Sequence, residues 1–338
     1  MVATYLLAAL ALASNPERSL VMLSRGGVEV GIAPKLAGRI VLFRRNSGPN
    51  ALLADPATWG PGEHAPALKP DAEWKPYNGH IVWIGPQREW WAHQDLDAGK
   101  RDRRDDWPPD PWGEYAPFSV VQASATLAVL AGPPSPVTGL KLRKEVRIEP
   151  DGTVQVKVVA RNIRRETVRW DLWSNTRLRG TDRVFVELGK DSKLRVEHQS
   201  SSPWTQVGLN HAVVDGWFSF ESEEPLPAGF TARVAKAFLT PSRGIVAAFG
   251  SGQVFVKRLN VTPAAQAAPD QAPVEIFQNV TRDPKTSLLE LEAHGAYTAL
   301  APNEEMAFEE TWTLAGDGGT AGAQSRAALL DTMFPPVP

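Results

Sequence analysis

An all-β, antiparallel sandwich with a short C-terminal helix is the fold class this sequence predicts, on three observations. Apolar residues recur at every second position in segment after segment from about residue 20. Turns containing Gly and Pro separate those segments, and helical periodicity appears only near the end, at roughly 322–333. Many short strands with almost no helix belong to a sandwich or a barrel. With 338 residues, 43% of them hydrophobic and 22% charged, the chain can bury one large β core or two ordinary ones.

Residues 1–14, MVATYLLAALALAS, form an apolar run in which Ala11-Leu12-Ala13 fits the small-x-small rule for signal-peptide cleavage. No Lys or Arg precedes the run, so a buried first strand or helix is the competing reading. Residues 1–19 are therefore expected to be a signal peptide or a disordered N terminus, which would place the protein in the periplasm or outside the cell. No stretch approaches the ~18 uninterrupted apolar residues of a membrane-spanning helix, so no membrane span is expected.

The alternation is clearest at 139–149, where Leu140, Leu142, Val146 and Ile148 share one face and Lys141, Arg143, Glu145, Arg147 and Glu149 the other. After Pro150-Asp151-Gly152, the residues Val154, Val156, Val158 and Ala160 oppose Gln155, Lys157 and Arg161. Two such runs around a Pro-Asp-Gly turn predict a hairpin in a sheet with one wet face. Similar segments recur at 27–33, 38–44, 117–130, 167–179, 182–188, 211–220, 230–239, 244–258, 273–279, 286–293 and 305–314. The stretch 95–116 is charged, Pro-rich and aromatic, and reads as a long surface loop partly covering a site. An Ala/Pro/Gln-rich stretch at 262–273 reads as a second loop. Alternation resumes beyond both, so residues 20–316 are expected to be one domain and 317–338 a helix and tail.

A net charge of -2 gives no general attraction to nucleic acid or anionic membranes. The absence of Cys excludes disulfides, thiol nucleophiles and thiolate metal sites. Asp102, Asp105, Asp106 and Asp110 lack the Gly turn and closing Glu of a calcium loop, and Arg101, Arg103 and Arg104 neutralise them. The six His residues show no metal-ligand spacing, and there is neither a phosphate-binding Gly loop nor a Gly-x-Ser-x-Gly elbow. No cofactor and no metal are expected.

Three elements carry a family resemblance. The segment GIAPKLAGRI at 31–40, followed by VLFRR and GPNALL, is similar to the N-terminal strand pair of aldose 1-epimerases, with Ala37 standing where a Gly is usual. Asn78–Gln87, NGHIVWIGPQ, resembles the Gly-His-x-x-Trp-x-x-Pro-Gln segment of an uncharacterised mutarotase-like group, domain of unknown function 4380. VEIFQN at 274–279, LLELEAHG at 288–295 and LAPNEEMAFEETWTL at 300–314 resemble the way mutarotase-like chains end. Their order spans most of residues 27–314. The resemblance implies a galactose-mutarotase-like supersandwich, two large antiparallel sheets packed face to face, that binds sugar on one sheet surface.

Mutarotation needs a base for the anomeric hydroxyl and an acid for the ring oxygen, both within hydrogen-bond reach of one pyranose. In 287–294, Leu289, Leu291 and Ala293 form the apolar face, so Glu290, Glu292 and His294 point the other way together. By resemblance, Leu291-Glu292 matches the Leu-Glu pair whose Glu is the general base, which makes Glu292 the candidate base and Glu290 a ligand for hydroxyls. Solvation of both on an outer face is the plain alternative. His80, among Ile81, Val82, Trp83 and Ile84, is the candidate acid, or else a structural imidazole bonded to the backbone.

The mutarotase acid His belongs to a Thr-Asn-His segment after a central strand. The comparable stretch here, VRWDLWSNTRL at 168–178, puts Trp173 at that place. Indole cannot transfer the proton, so the step falls to His80, Asp171 or Arg177, or does not occur. Seven of the 12 Trp residues crowd into 59–112. Most are expected to be structural, with Trp83 and Trp173 the first to reach a pocket, where an aromatic face can stack on a sugar. Arg39 and Asn175 complete the expected lining.

The function expected is therefore a carbohydrate-binding, mutarotase-like protein, with epimerase activity at the anomeric centre as its catalytic form. The alternative is a non-catalytic envelope or assembly protein with a degenerate sugar site. A polysaccharide lyase or hydrolase is a third reading, disfavoured by the lack of a companion helical domain. His80 and Glu292 approaching one pocket lined by Trp83 or Trp173 would favour the first reading. Oligomeric state and the identity of the sugar are not encoded in any motif.

Overall fold

A computed structural model describes residues 19–60, 65–92, 96–198 and 206–335. The expected N-terminal signal segment lies outside the described residues, Ser19 excepted. The first strands are β1 (Val21–Arg25), β2 (Val28–Ala33) and β3 (Arg39–Arg45). A short helix α1 (Pro56–Trp59) precedes β4 (His80–Gly85), and α2 (Ala98–Arg103) and α3 (Pro111–Glu114) lie in the charged aromatic loop. Next come β5 (Ser119–Ala123), β6 (Leu127–Pro134), β7 (Leu140–Ile148), β8 (Val154–Asn162), β9 (Val168–Arg179) and β10 (Arg183–Glu187). β11 (Lys193–Glu197), β12 (Gln206–Val207), β13 (His211–Val214), β14 (Trp217–Phe220) and β15 (Ala232–Thr240) follow. The chain closes with β16 (Ile245–Gly250), β17 (Gln253–Leu259), β18 (Val274–Thr281), β19 (Leu288–His294), β20 (Thr298–Leu300), β21 (Glu305–Gly316) and helix α4 (Ala323–Met333).

The strands form two sheets, almost wholly antiparallel. The eleven-stranded sheet runs β1-β2-β3-β4-β9-β19-β18-β15-β11, with β12 parallel to β15 and β20 paired to β9. The ten-stranded sheet runs β13-β14-β10-β16-β17-β21-β8-β7-β6-β5. Phe43 of the first sheet meets Phe255 and Trp312 of the second at ring separations of 5.5 Å each, the aromatic centre of one core between the sheets. Such a two-sheet sandwich is the predicted fold class.

The hairpin around Pro150-Asp151-Gly152 forms as its alternation requires. Ile148 pairs with Val154, Gly152 takes a φ of +86°, and the apolar residues of β7 and β8 turn inward while Lys141 and Arg143 stay exposed. Three segments read as single strands, 117–130, 211–220 and 244–258, hold antiparallel strand pairs instead, the last two because Asp215-Gly216 and Ser251-Gly252 adopt left-handed turns. Ala37 also has positive φ, at +54°, consistent with a position that favours Gly. Gly79, at φ +68°, opens β4, where a Cβ would lie 2.4 Å from the Ile40 carbonyl oxygen. Helix α4 buries Ala327 and Leu330 against Phe185, Trp217 and Phe249 on the far face of the ten-stranded sheet.

The central strands of the larger sheet, β4, β9 and β19, are buried on both faces. One face packs on the second sheet. The other is covered by chain segments between β4 and β5, and it is there that polar side chains gather.

Candidate functional site

Register decides which side chains meet. In β9, Asp171, Trp173, Asn175 and Arg177 project to the outer face, and Leu172, Ser174, Thr176 and Leu178 project between the sheets. Trp173 pairs with Trp83 on one side and His294 on the other, Asn175 with Glu292, and Arg177 with Glu290. Glu275 of β18 pairs with Glu292, and Phe238 of β15 pairs with Glu275. Trp83, Trp173, Asn175, Glu290 and Glu292, all candidates from the sequence, therefore share the outer face. Leu289, Leu291 and Ala293 face the core as the alternation predicts.

His80 does not join them. It pairs with Thr176, its Nδ1 lies 2.9 Å from Thr176 Oγ1, and its ring packs edge-on against Trp312 of the other sheet at 4.8 Å. Lys257 Nζ, also between the sheets, donates to Ser174 Oγ, Thr176 Oγ1 and the Leu291 carbonyl and pairs with Glu310 at 3.1 Å. Thr176 Oγ1 thus accepts from Lys257 and shares a second hydrogen bond with His80 Nδ1, whose direction follows the tautomer of the ring. Burial, then the charges of Lys257, Lys144 and Arg39, hold His80 well below the usual imidazole range. His80 and Glu292 thus lie on opposite faces of one sheet. The expectation that they approach one pocket is not met, because an even position in β4 pairs with an inward position in β9.

The imidazole beside Glu292 is His294, two residues further along the same strand. Its Nδ1 donates to Asp171 Oδ2 at 3.0 Å, it stacks on Trp173 at 5.2 Å, and its exposure is 0%. Burial disfavours its charged form, but Glu275 and the charge and hydrogen bond of Asp171 outweigh this and raise its pKa. Glu292, 2% exposed, accepts from Trp173 Nε1 and Lys236 Nζ, each at 3.0 Å. Burial raises the Glu292 pKa to about 7, with Lys236 opposing and the Glu290 and Glu275 carboxylates adding to the rise. Lys236 also pairs with Glu275 at 2.7 Å.

The remaining candidates are held by ion pairs. Arg177 Nε meets Glu290 Oε1 at 2.7 Å. Arg39 is buried against Glu114 of α3, also at 2.7 Å, and donates to the Asn78 carbonyl. Glu114 accepts from the Trp83 indole as well. Trp83, Trp90, Trp107 and Trp173 then pack ring to ring, so the loop expected to cover a site does cover this face. Of the two foremost tryptophans, Trp173 lines a pocket of which Trp83 is not part.

That pocket, about 260 Å³, lies beside the aromatic cover. Trp173, Lys236, Phe238 and Glu275 contribute from the strands, Gln87 and Arg88 from the turn after β4, and Asp270 and Gln271 from the second predicted loop. An Arg88–Asp270 ion pair ties the two loops together. A larger cavity of about 350 Å³ lies against the other sheet near α4. Its main polar groups are already engaged, Trp217 with Asp331 and Arg243 with Glu187 and the Phe334 and Pro335 carbonyls.

The sequence singles out none of Lys236, Phe238 and Glu275, and its alternation gives His294 only as a neighbour of Glu292. Lys236 and Phe238 are two apart in an alternating run, and Glu275 lies in VEIFQN, so the signal was present as faces without a means of joining them.

The chain matches the family model described as Domain of unknown function (DUF4380) over residues 19–315, and it belongs to that family. No curated protein sequence matches it. Among solved structures, a galactose mutarotase-like protein from Lactobacillus casei ATCC 334 is similar at 10% identity and a TM-score of 0.54, covering 88% of this chain and 100% of that one. A galactose mutarotase-like protein from Clostridium acetobutylicum is similar at 11% identity and a TM-score of 0.50, covering 87% and 94%. At such identities the likeness concerns the fold, which is galactose-mutarotase-like. Among the described residues, no helix is long and apolar enough to cross a membrane.

Proposed function

We propose that this DUF4380 chain is a carbohydrate-binding protein whose ligand occupies the outer-face pocket over β9, β15 and β18. The pocket's composition carries the reading. Trp173 and Phe238 supply apolar wall for the C–H face of a sugar, while Lys236, Glu275, Gln87 and Gln271 offer the donors and acceptors that hydroxyls require. A hollow in which an aromatic wall faces convergent polar and charged groups suits a ligand with both C–H faces and hydroxyls. The test is a sugar-array screen followed by calorimetric titration of the best binder. Phe238→Ala is expected to weaken binding by about tenfold or more, the loss of one well-packed aromatic contact. Binding unchanged in that variant would remove the pocket from the reading.

Anomeric proton transfer is a second reading, favoured by one observation: Glu292 and His294 are neighbours on the same face, and Asp171 orients the imidazole. Both lie beneath Trp173 and Lys236 rather than on the pocket wall, so binding takes precedence. Anomer exchange measured by NMR separates the two. A rate above the uncatalysed one that Glu292→Gln abolishes would establish proton transfer, and equal rates with and without protein would exclude it.

A further inference from the structure

We propose that Glu275, Glu292 and His294 bind a divalent transition-metal ion of the zinc class, with an open coordination position towards the pocket. The inference rests on the carbohydrate reading only for what fills that open position. One donor atom from each of the three residues lies within 4.8 Å of the other two, and all three side chains are buried. Donors around a metal with bonds of about 2.1 Å stand roughly 3.4 Å apart, so closing the site needs movement of about 1 Å.

The histidine supplies an independent sign. His294 Nδ1 is engaged by Asp171 at 3.0 Å, while Nε2, fully buried, has no hydrogen-bond partner and faces Glu275 Oε1 at 3.8 Å. A carboxylate on one ring nitrogen with the other aimed at a carboxylate cluster is the arrangement that orients a metal-ligating imidazole. Asn175, directly across from Glu292 in the register and 0% exposed, has neither amide atom partnered. Buried polar atoms left unpaired mark a place where something else can bind.

Charge points the same way. Asp171, Glu275 and Glu292 gather three carboxyl groups around the single ammonium of Lys236, so the ligands offered are mostly acidic oxygens. Lys236, 2.7 Å from Glu275 and 3.0 Å from Glu292, holds part of the space an ion would take. It also lines the pocket, into which its flexible stem can withdraw. One nitrogen and two carboxylate oxygens suit zinc, and three protein ligands leave a fourth position for water or a hydroxyl.

The test uses the full chain stripped with chelator and titrated with zinc chloride alone by calorimetry, and with cobalt chloride by visible absorption. The expected result is saturable binding of one ion per chain and a four- or five-coordinate cobalt spectrum. His294→Gln and Glu275→Gln should each weaken zinc at least about tenfold, as loss of a ligand does, and Lys236→Met should tighten it. Absence of one-to-one binding, or binding that neither Gln variant weakens, overturns the proposal. Should the Gln variants not fold, wild type and Lys236→Met decide: an octahedral aquo-type cobalt spectrum in both overturns it. Sugar binding measured in chelator separates the two readings, since loss of zinc with sugar binding intact removes this inference alone.

Discussion

Two buried polar clusters lie back to back on either face of the larger sheet, with β9 contributing to both and Lys257 and Glu310 reaching the inner one from the smaller sheet. The inner one joins His80, Ser174, Thr176, Lys257 and Glu310 between the sheets, and the outer one joins Asp171, Glu275, Glu292, His294 and Lys236 beneath the loops. Each has a histidine, a lysine and carboxylate, but the histidines are held in opposite senses. Burial and the cations Lys257, Lys144 and Arg39 hold the His80 pKa down, whereas Glu275 and Asp171 raise that of His294 against its burial. The inner lysine, 1% exposed, meets one carboxylate and two hydroxyls, and the outer lysine meets two carboxylates and borders a pocket. Residue type does not separate a structural cluster from a candidate site. Which face a strand turns outward, and what covers that face, does.

If the inner cluster is structural and the outer one a site, substitutions should sort accordingly. Lys257→Met leaves Glu310 buried and unpaired, with an expected loss of about 3–5 kcal/mol in denaturant-determined stability. Lys236→Met borders the pocket, where water can reach the freed carboxylates, and should cost less, about 1–3 kcal/mol. Equal losses would erase the distinction. Trp107→Ala, in a residue 44% exposed, should cost only about 1–2 kcal/mol through its ring contacts, while raising quenching of the remaining indoles by acrylamide. Unchanged quenching would mean that Trp107 does not cover the face.

The smallest effect concerns pH. His80 stays neutral in the fold, where Lys257, Lys144 and Arg39 disfavour its charge and Glu310 lies 3.8 Å away. Its folded pKa is below that of the unfolded chain, near 6.5, so only the unfolded state gains this proton as pH falls past that value. Stability contributed by the neutral ring should be lost below about pH 6.5 and unaffected above it. The difference in stability between wild type and His80→Gln should therefore shrink on acidification from pH 7 to 5.5. A difference that stays constant would show that the ring titrates normally.

The fold was largely legible because alternation reports directly on one-sided burial, and β7–β8 with its Pro-Asp-Gly turn shows this most clearly. β4 is legible as a motif but not as a strand, since its run Ile81–Ile84 is apolar on both faces and has no period. The same two-sided burial hid the site. In β19 alternation grouped Glu290, Glu292 and His294, yet nothing local revealed that β4 meets β9 with His80 opposite Thr176 and not Asn175. Cross-strand register is set by long-range pairing, and a shift of one residue exchanges the faces. Lys236 and Glu275 come from strands about 40 residues apart, which no spacing rule would join.

Hydrogen exchange resolved by peptide, with and without the sugar that binds best, tests the central claim most directly. The account predicts slowed exchange at Gln87–Arg88, Lys236–Phe238 and Asp270–Gln271, with no change around Trp217 and Arg243. Protection near Trp217 and Arg243, or none at the outer-face segments while the sugar is bound, would contradict it.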